Sequence, residues 1–180
     1  MVIRNVTKRR IEMKKVTHLI AILGACLVVL TTPAIAGESE VTWTNPEKYR
    51  DIDEGNRVKS KFKEQVFREF GKHFNKLAAK LPEGQKLMVE VTDLDLAGDV
   101  RVGGINEVRI VKSIYFPRME FNYQVLDSTG SEVQKGSVNL KDMNFMNGTN
   151  LRYGNKSFAY ERRMLDEWFN KTFTTTLAKN

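Results

Sequence analysis

Apolar residues recur every three or four positions between 57 and 81. Val58, Phe62, Val66, Phe70, Phe74, Leu77 and Leu81 form the series, with Phe67 and Ala78 beside it. That spacing puts them on one face of a helix. Lysines and arginines fill most of the opposite side, and Pro82 and Gly84 end the element. Four phenylalanines in one helix require an apolar surface to lie on, most simply a sheet. The period then changes to two. Leu87, Val89 and Val91 alternate with Met88, Glu90 and Thr92, which predicts a strand. It runs into Asp93-Leu94-Asp95-Leu96-Ala97-Gly98-Asp99, where the polarity switches face and the chain turns.

Gly103-Gly104 mark a loop. Beyond it the even positions Val108, Ile110, Ile114 and Phe116 are apolar, and after Pro117 the odd positions Met119, Phe121, Tyr123 and Val125 are. A phase flip at a proline predicts a bulge or a strand break. Asp127-Ser128-Thr129-Gly130 is a turn, and the strand from about Glu132 to Leu140 returns antiparallel. Residues 141–157 read as an asparagine-rich loop. From about Phe158 to Phe173, Leu165, Trp168, Phe169 and Phe173 give a second amphipathic helix. Upstream, Val41-Thr42-Trp43 is either a short strand or a docked extended arm, ended by Asn45-Pro46. The expected fold is α+β: an antiparallel sheet of about four strands, with two amphipathic helices packed on one face.

The first 36 residues have a different pattern, and it changes the bookkeeping. A basic start (Lys8, Arg9, Arg10, Lys14, Lys15) precedes an apolar run from Val16 to Leu30, and Thr32-Pro-Ala-Ile-Ala36 follows. Small residues at 34 and 36 are what a signal peptidase accepts, so 1–36 is expected to be a cleaved export signal, with Met13 a candidate true start. The remainder divides into an extended arm, 37–56, and one α+β domain, 57–180. The leader holds six Lys/Arg and one acid, a net +5 of the chain's +7, which leaves +2. That ordinary balance argues against a nucleic-acid partner. Cys26 is the only cysteine and lies in the leader, so a chain beginning at Gly37 has no disulfide, thiol chemistry or cysteine-ligated metal. Leu23-Gly24-Ala25-Cys26 resembles a lipobox, and a lipid anchor through Cys26 is the alternative to a free periplasmic or secreted product. The apolar run is too short for a stable membrane span after processing.

Candidate chemistry is sparse. Asp93, Asp95 and Asp99 around Gly98 are the possible metal ligands, for calcium, and the centre of an alternative carboxylate- or calcium-dependent hydrolase. Their spacing departs from an EF-hand, and short acids also satisfy turn amides without any metal. His73 has no partner that spacing can name. Arg118 and Glu120, with Arg101, Arg109 and Lys112 near them in sequence, are candidates for a surface that binds an anionic group. Lys141, Asp142, Asn144 and Phe145 are the other ligand-binding candidates. They lie in a loop where Met143, Phe145 and Met146 sit outside any period, either to contact a partner or to plug the end of the core.

Five segments together resemble a family of exported Gram-negative bacterial proteins known as domain of unknown function 3016. They are Val41-Thr-Trp-Thr-Asn-Pro-Glu-Lys-Tyr-Arg-Asp-Ile52, Leu94-Asp-Leu-Ala-Gly-Asp99, Ile114-Tyr-Phe-Pro-Arg118, Lys141-Asp-Met-Asn-Phe-Met146 and Tyr160-Glu-Arg-Arg-Met-Leu-Asp-Glu-Trp-Phe169. The resemblance covers nearly all of the chain after the leader. It implies one exported domain and carries over no activity, cofactor or catalytic residue. The expected role is an exported, non-catalytic binding or accessory protein whose partner is an envelope protein or an anionic envelope component.

Overall fold

The computed structural model describes residues 37–50, 52, 59–103, 106–147 and 156–177. The proposed leader, with Cys26, Met13 and the cleavage site, lies outside these residues. Strand β1 is Glu38–Trp43, so of the two readings of Val41–Trp43 the strand is the one that forms. A single turn of 3-10 helix, Pro46–Lys48, follows. Helix α1 is Lys59–Ala78, β2 is Lys86–Asp95, β3 is Asp99–Gly103 and β4 is Asn106–Ile110. Strand β5 is Arg118–Leu126, β6 is Glu132–Lys141, and helix α2 is Ala159–Leu177.

The main sheet has the order β1-β2-β5-β6, and β3 and β4 form a separate two-stranded ribbon. The fold is α+β as expected, but the sheet is mixed: β1 runs parallel to β2, while β2–β5 and β5–β6 are antiparallel. The reason is the connection. A helix between two neighbouring strands returns the chain to the end from which it started, and the second strand then runs parallel to the first.

Both helices lie on one face. Phe121 of β5 makes edge contacts with Phe74 of α1 at 5.8 Å and with Trp168 of α2 at 4.8 Å. Leu87, Val89 and Val91 join Met119, Phe121, Tyr123 and Val125 in a core completed by Phe70, Phe74, Leu77, Leu165, Phe169 and Phe173. Trp43 stacks on Phe67 of α1 at 4.2 Å, which fixes β1 to the same layer.

The register shifts between Val91 and Asp93, so Thr92 is an extra residue in β2. Before this bulge the odd residues point inward, and after it the even residues Leu94 and Leu96 join the core, with Asp95 and Ala97 buried beside them. This is the physical origin of the polarity switch after Thr92. Residues 108–116 do not form one strand. β4 stops at Ile110, Tyr115 N–H donates to the Lys112 carbonyl in a turn, and β5 begins just after Pro117. The phase flip at the proline is therefore a strand break, and the bulge sits one strand earlier. The turn at 127–130 forms as expected. Asp127 Oδ1 accepts from the amides of Thr129 and Ser131, and Gly130 has φ +82°, open to glycine at little cost.

Candidate functional site

The three candidate metal ligands go separate ways. Asp93 Oδ1 accepts from the Leu94 amide at 3.0 Å. Asp95 is buried and bound by Arg118, whose Nε lies 3.0 Å from Oδ2. Asp99 accepts from Arg101 Nε at 2.9 Å. Among the described residues no set of three His, Cys, Asp or Glu side chains is placed to share an ion. The bulge and the β2–β3 turn aim these acids at different partners.

The candidate binding residues divide between structure and surface. Arg118 is held by Asp95, and its guanidinium also stands over the Phe116 ring at 5.5 Å. Glu120 accepts from Asn139 across the sheet. Asp142 is gripped by Arg163 of α2 at 2.6 Å, and the same guanidinium donates to the Phe145 carbonyl at 3.0 Å. Phe145 is fully buried and meets Tyr160 edge-on at 4.7 Å, so this member of the loop does plug the core. Asn144 is exposed, its amide donating to Asp142 Oδ1, and Lys141 is exposed at the last position of β6. Arg101 is taken by Asp99 and Tyr115, and Arg109 Nη1 donates to the Ala97 and Gly98 carbonyls at 3.3 and 3.1 Å. The arginines thus brace loops and do not assemble into an anion cradle.

His73 does have a partner, which its spacing could not reveal. Its Nε2 lies 3.0 Å from Asp166 Oδ1 on α2, within ion-pair range though outside hydrogen-bond alignment. Arg162 adds a bridge from α2 to Glu69 Oε2 of α1 at 3.0 Å. These polar groups seam the two helices.

The open face of the sheet carries a shallow groove of about 700 Å³. Its side chains bond one another: Thr44 Oγ1 and Asn122 Nδ2 donate to the two oxygens of Glu90, and Ser137 Oγ donates to Asn122 Oδ1. The Asn122 and Thr44 bonds hold Glu90 below the usual carboxylate range. A face already bonded to itself offers few uncommitted groups to a ligand.

A second candidate surface lies at one end of the sheet. β2 finishes at Asp95, β5 starts at Arg118 and β6 finishes at Lys141, all in one register row. Segments 96–117 and 142–158 therefore leave the sheet at the same place, and the Asp142 amide donates to the Pro117 carbonyl at 3.2 Å. Six large apolar side chains are exposed among the described residues, and five are here: Ile110, Val111, Ile114, Met143 and Met146. Ile114 is 69% and Met143 71% exposed. The sixth, Val133, lies near the start of β6, at the far end of the sheet.

At this same end a cavity of about 300 Å³ opens between the β3–β4 ribbon and the start of α2. Phe62, Leu96, Val111, Phe158 and Tyr160 supply apolar walls, and Glu161 lines it as well. Glu161 is buried, and its Oε1 accepts from the Ala97 amide at 2.7 Å. Burial pushes its carboxyl above the usual range, opposed by that amide bond and by Arg109 and Arg162. Nothing in the local sequence marks Glu161, because the amide it serves is far along the chain.

The family described as protein of unknown function (DUF3016) matches residues 37–171. The chain belongs to this family. No curated protein and no solved structure matches it. The DUF3016 match takes in all six strands and every described residue of this sheet end. The segments that carry the resemblance meet there: Asp95 with Arg118, Ala97 with Glu161, Gly98 with Tyr115 and Asp142 with Arg163.

The raised Glu161 gives a pH prediction for the DUF3016 domain. Its folded-state value exceeds the unfolded one, so the native state keeps a proton that the unfolded chain releases as pH rises through the ordinary carboxylate range. Stability contributed by this site therefore falls with rising pH until the folded-state value is passed. Glu161→Gln keeps an oxygen for the Ala97 amide and removes that slope. Urea melts should show the variant with the higher midpoint at pH 7, and no gap near pH 4. A variant less stable at pH 7 than at pH 4, relative to the parent, contradicts the assignment.

Proposed function

We propose that this DUF3016 protein is an exported, non-catalytic binding or accessory protein of the bacterial envelope, with the loop end beyond Asp95, Arg118 and Lys141 as its contact surface. One observation carries the reading. Five of the six large apolar side chains exposed in the described chain gather at that end, where the structure itself does not cover them. Soluble surfaces tolerate scattered apolar residues, and concentration at one end is a mark of contact. The proposed partner is an envelope component, either a protein or an anionic group. The support for export is the leader pattern of residues 1–36 and the start of the family match at Gly37, the residue after Ala36. Among the described residues no helix is long and apolar enough to cross a membrane.

Site-specific photo-crosslinking in cells tests the surface. A benzophenone side chain at position 114 or 143 should give adducts that one at position 133 does not. Equal labelling at all three, or adducts at 133 alone, removes the loop end from consideration. Localisation is tested by mass. The protein recovered from cells should weigh what a chain from Gly37 weighs. An acylated chain from Cys26 would replace free export by lipid anchoring, and an intact chain in the cytosol would overturn export.

A further inference from the structure

We infer that the loop end seats on an anionic phospholipid bilayer surface. This names the partner of the contact surface proposed above and rests on that reading. Three acids at this end are each bound to an arginine: Asp95 to Arg118, Asp99 to Arg101 and Asp142 to Arg163. Glu161 is buried beneath them on the Ala97 amide. Lys112 and Lys141 are exposed, Lys156 stands at the rim of the cavity, and none of the three has a salt bridge among the described residues. Asp93 and Glu120 pair with each other two register rows in and are bonded only to neutral groups, the Leu94 amide and Asn139, which do not balance a carboxylate. Among these described groups the three lysines still outnumber the two unpaired acids, so the balance at the end is positive, and it surrounds aliphatic side chains.

That combination suits a bilayer better than a protein. Tight protein interfaces are anchored by aromatic residues and arginine, and are depleted in lysine. Here the aromatics are withdrawn: Phe145 is fully buried, and Tyr115 and Phe116 are half-buried against Arg101 and Arg118. Arg101, Arg118 and Arg163 are spent on acids of the same chain, and Arg109 on backbone carbonyls. What faces outward is isoleucine, valine, methionine and lysine, carried on the two loops and the strand ends beside them. Aliphatic tips insert shallowly among headgroups, and lysine needs no fixed geometry to be drawn to a negative surface. Contacts of this size give weak, reversible, salt-sensitive attachment.

Vesicle co-sedimentation of the protein as recovered from cells tests the inference. Its N-terminus is common to all variants, so differences between variants read the loops alone. The protein should pellet with vesicles of phosphatidylglycerol in phosphatidylcholine, pellet poorly with phosphatidylcholine alone, and be released by salt. Lys112→Glu/Lys141→Glu should lower the partition coefficient by about tenfold or more, since each lysine near such a surface is worth about fivefold. Ile114→Ser/Met143→Ser should lower it several-fold with an unchanged melting temperature, and Val133→Ser should leave it unaltered. Equal binding to both vesicle types, or parent-like binding by the two loop variants, overturns the lipid assignment. If vesicle binding fails while crosslinks from 114 and 143 still land on one protein, the contact surface stands and the lipid inference falls.

Discussion

Replacing Phe121 with alanine will cost about 3–5 kcal/mol of folding stability, a large part of what a domain of this size holds. Phe121 is 1% exposed and stands in the middle of the sheet, with Phe74 on one side and Trp168 on the other. The two helices touch each other at only a few points beside the seam of His73, Asp166, Arg162 and Glu69, so this ring is a shared wall of both. Truncation leaves a void that neither helix can close without separating from the sheet. Each lost edge contact also carries a small term beyond area burial. Chemical denaturation should show one transition at a lower midpoint. A loss below about 1 kcal/mol would mean that the helices repack freely, contrary to the interlocked core.

Arg118→Ala should be the second most damaging change, at about 3 kcal/mol. The residue itself is only partly buried, and its own burial is not the source of the cost. The source is Asp95, 7% exposed, which loses the arginine paired with it. A buried carboxylate left there without its counter-charge is costly. Arg118→Met/Asp95→Asn, which removes both charges, should be less destabilised at pH 7 than Arg118→Ala alone. If the double variant is worse, packing and not charge pairing dominates at that site. Denaturant midpoints at pH 7 for parent, single and double variants decide it.

Both helices were legible because a period near 3.6 with four phenylalanines in one stretch has no other outlet. The antiparallel strands β5 and β6 were legible from alternation and from the Asp127–Gly130 turn between them. The direction of β1 was not, because a strand's polarity relative to its neighbour depends on the path between them, and Val41–Trp43 contains no trace of that path. The bulge left a mark, the polarity switch after Thr92, yet the alternation gave equal reason to put an irregularity at Pro117, where the chain simply breaks. The candidate site was half legible. The 141–148 loop stood out by its methionines and phenylalanine, but period-free residues carry no inward or outward label. Phe145 turned in, while Met143 and Met146 turned out. Asp95 and Arg118 were singled out separately, for metal and anion binding, and they satisfy each other. Glu161, Asp166 and Arg163 were invisible as polar anchors, since each meets a group on a different element, and only the folded chain brings them together.

The parallel pairing of β1 with β2 sets an order of events during synthesis. β1 emerges early, yet every strand partner it has, from Gln85 to Val91, is made only after α1 is complete. A hairpin would let it zip as it appears, whereas this arrangement obliges it to wait through a loop closure that local structure cannot shorten. The segment nearest the amino end should therefore be the last of the sheet to gain protection from hydrogen exchange on refolding, well after the β5–β6 hairpin.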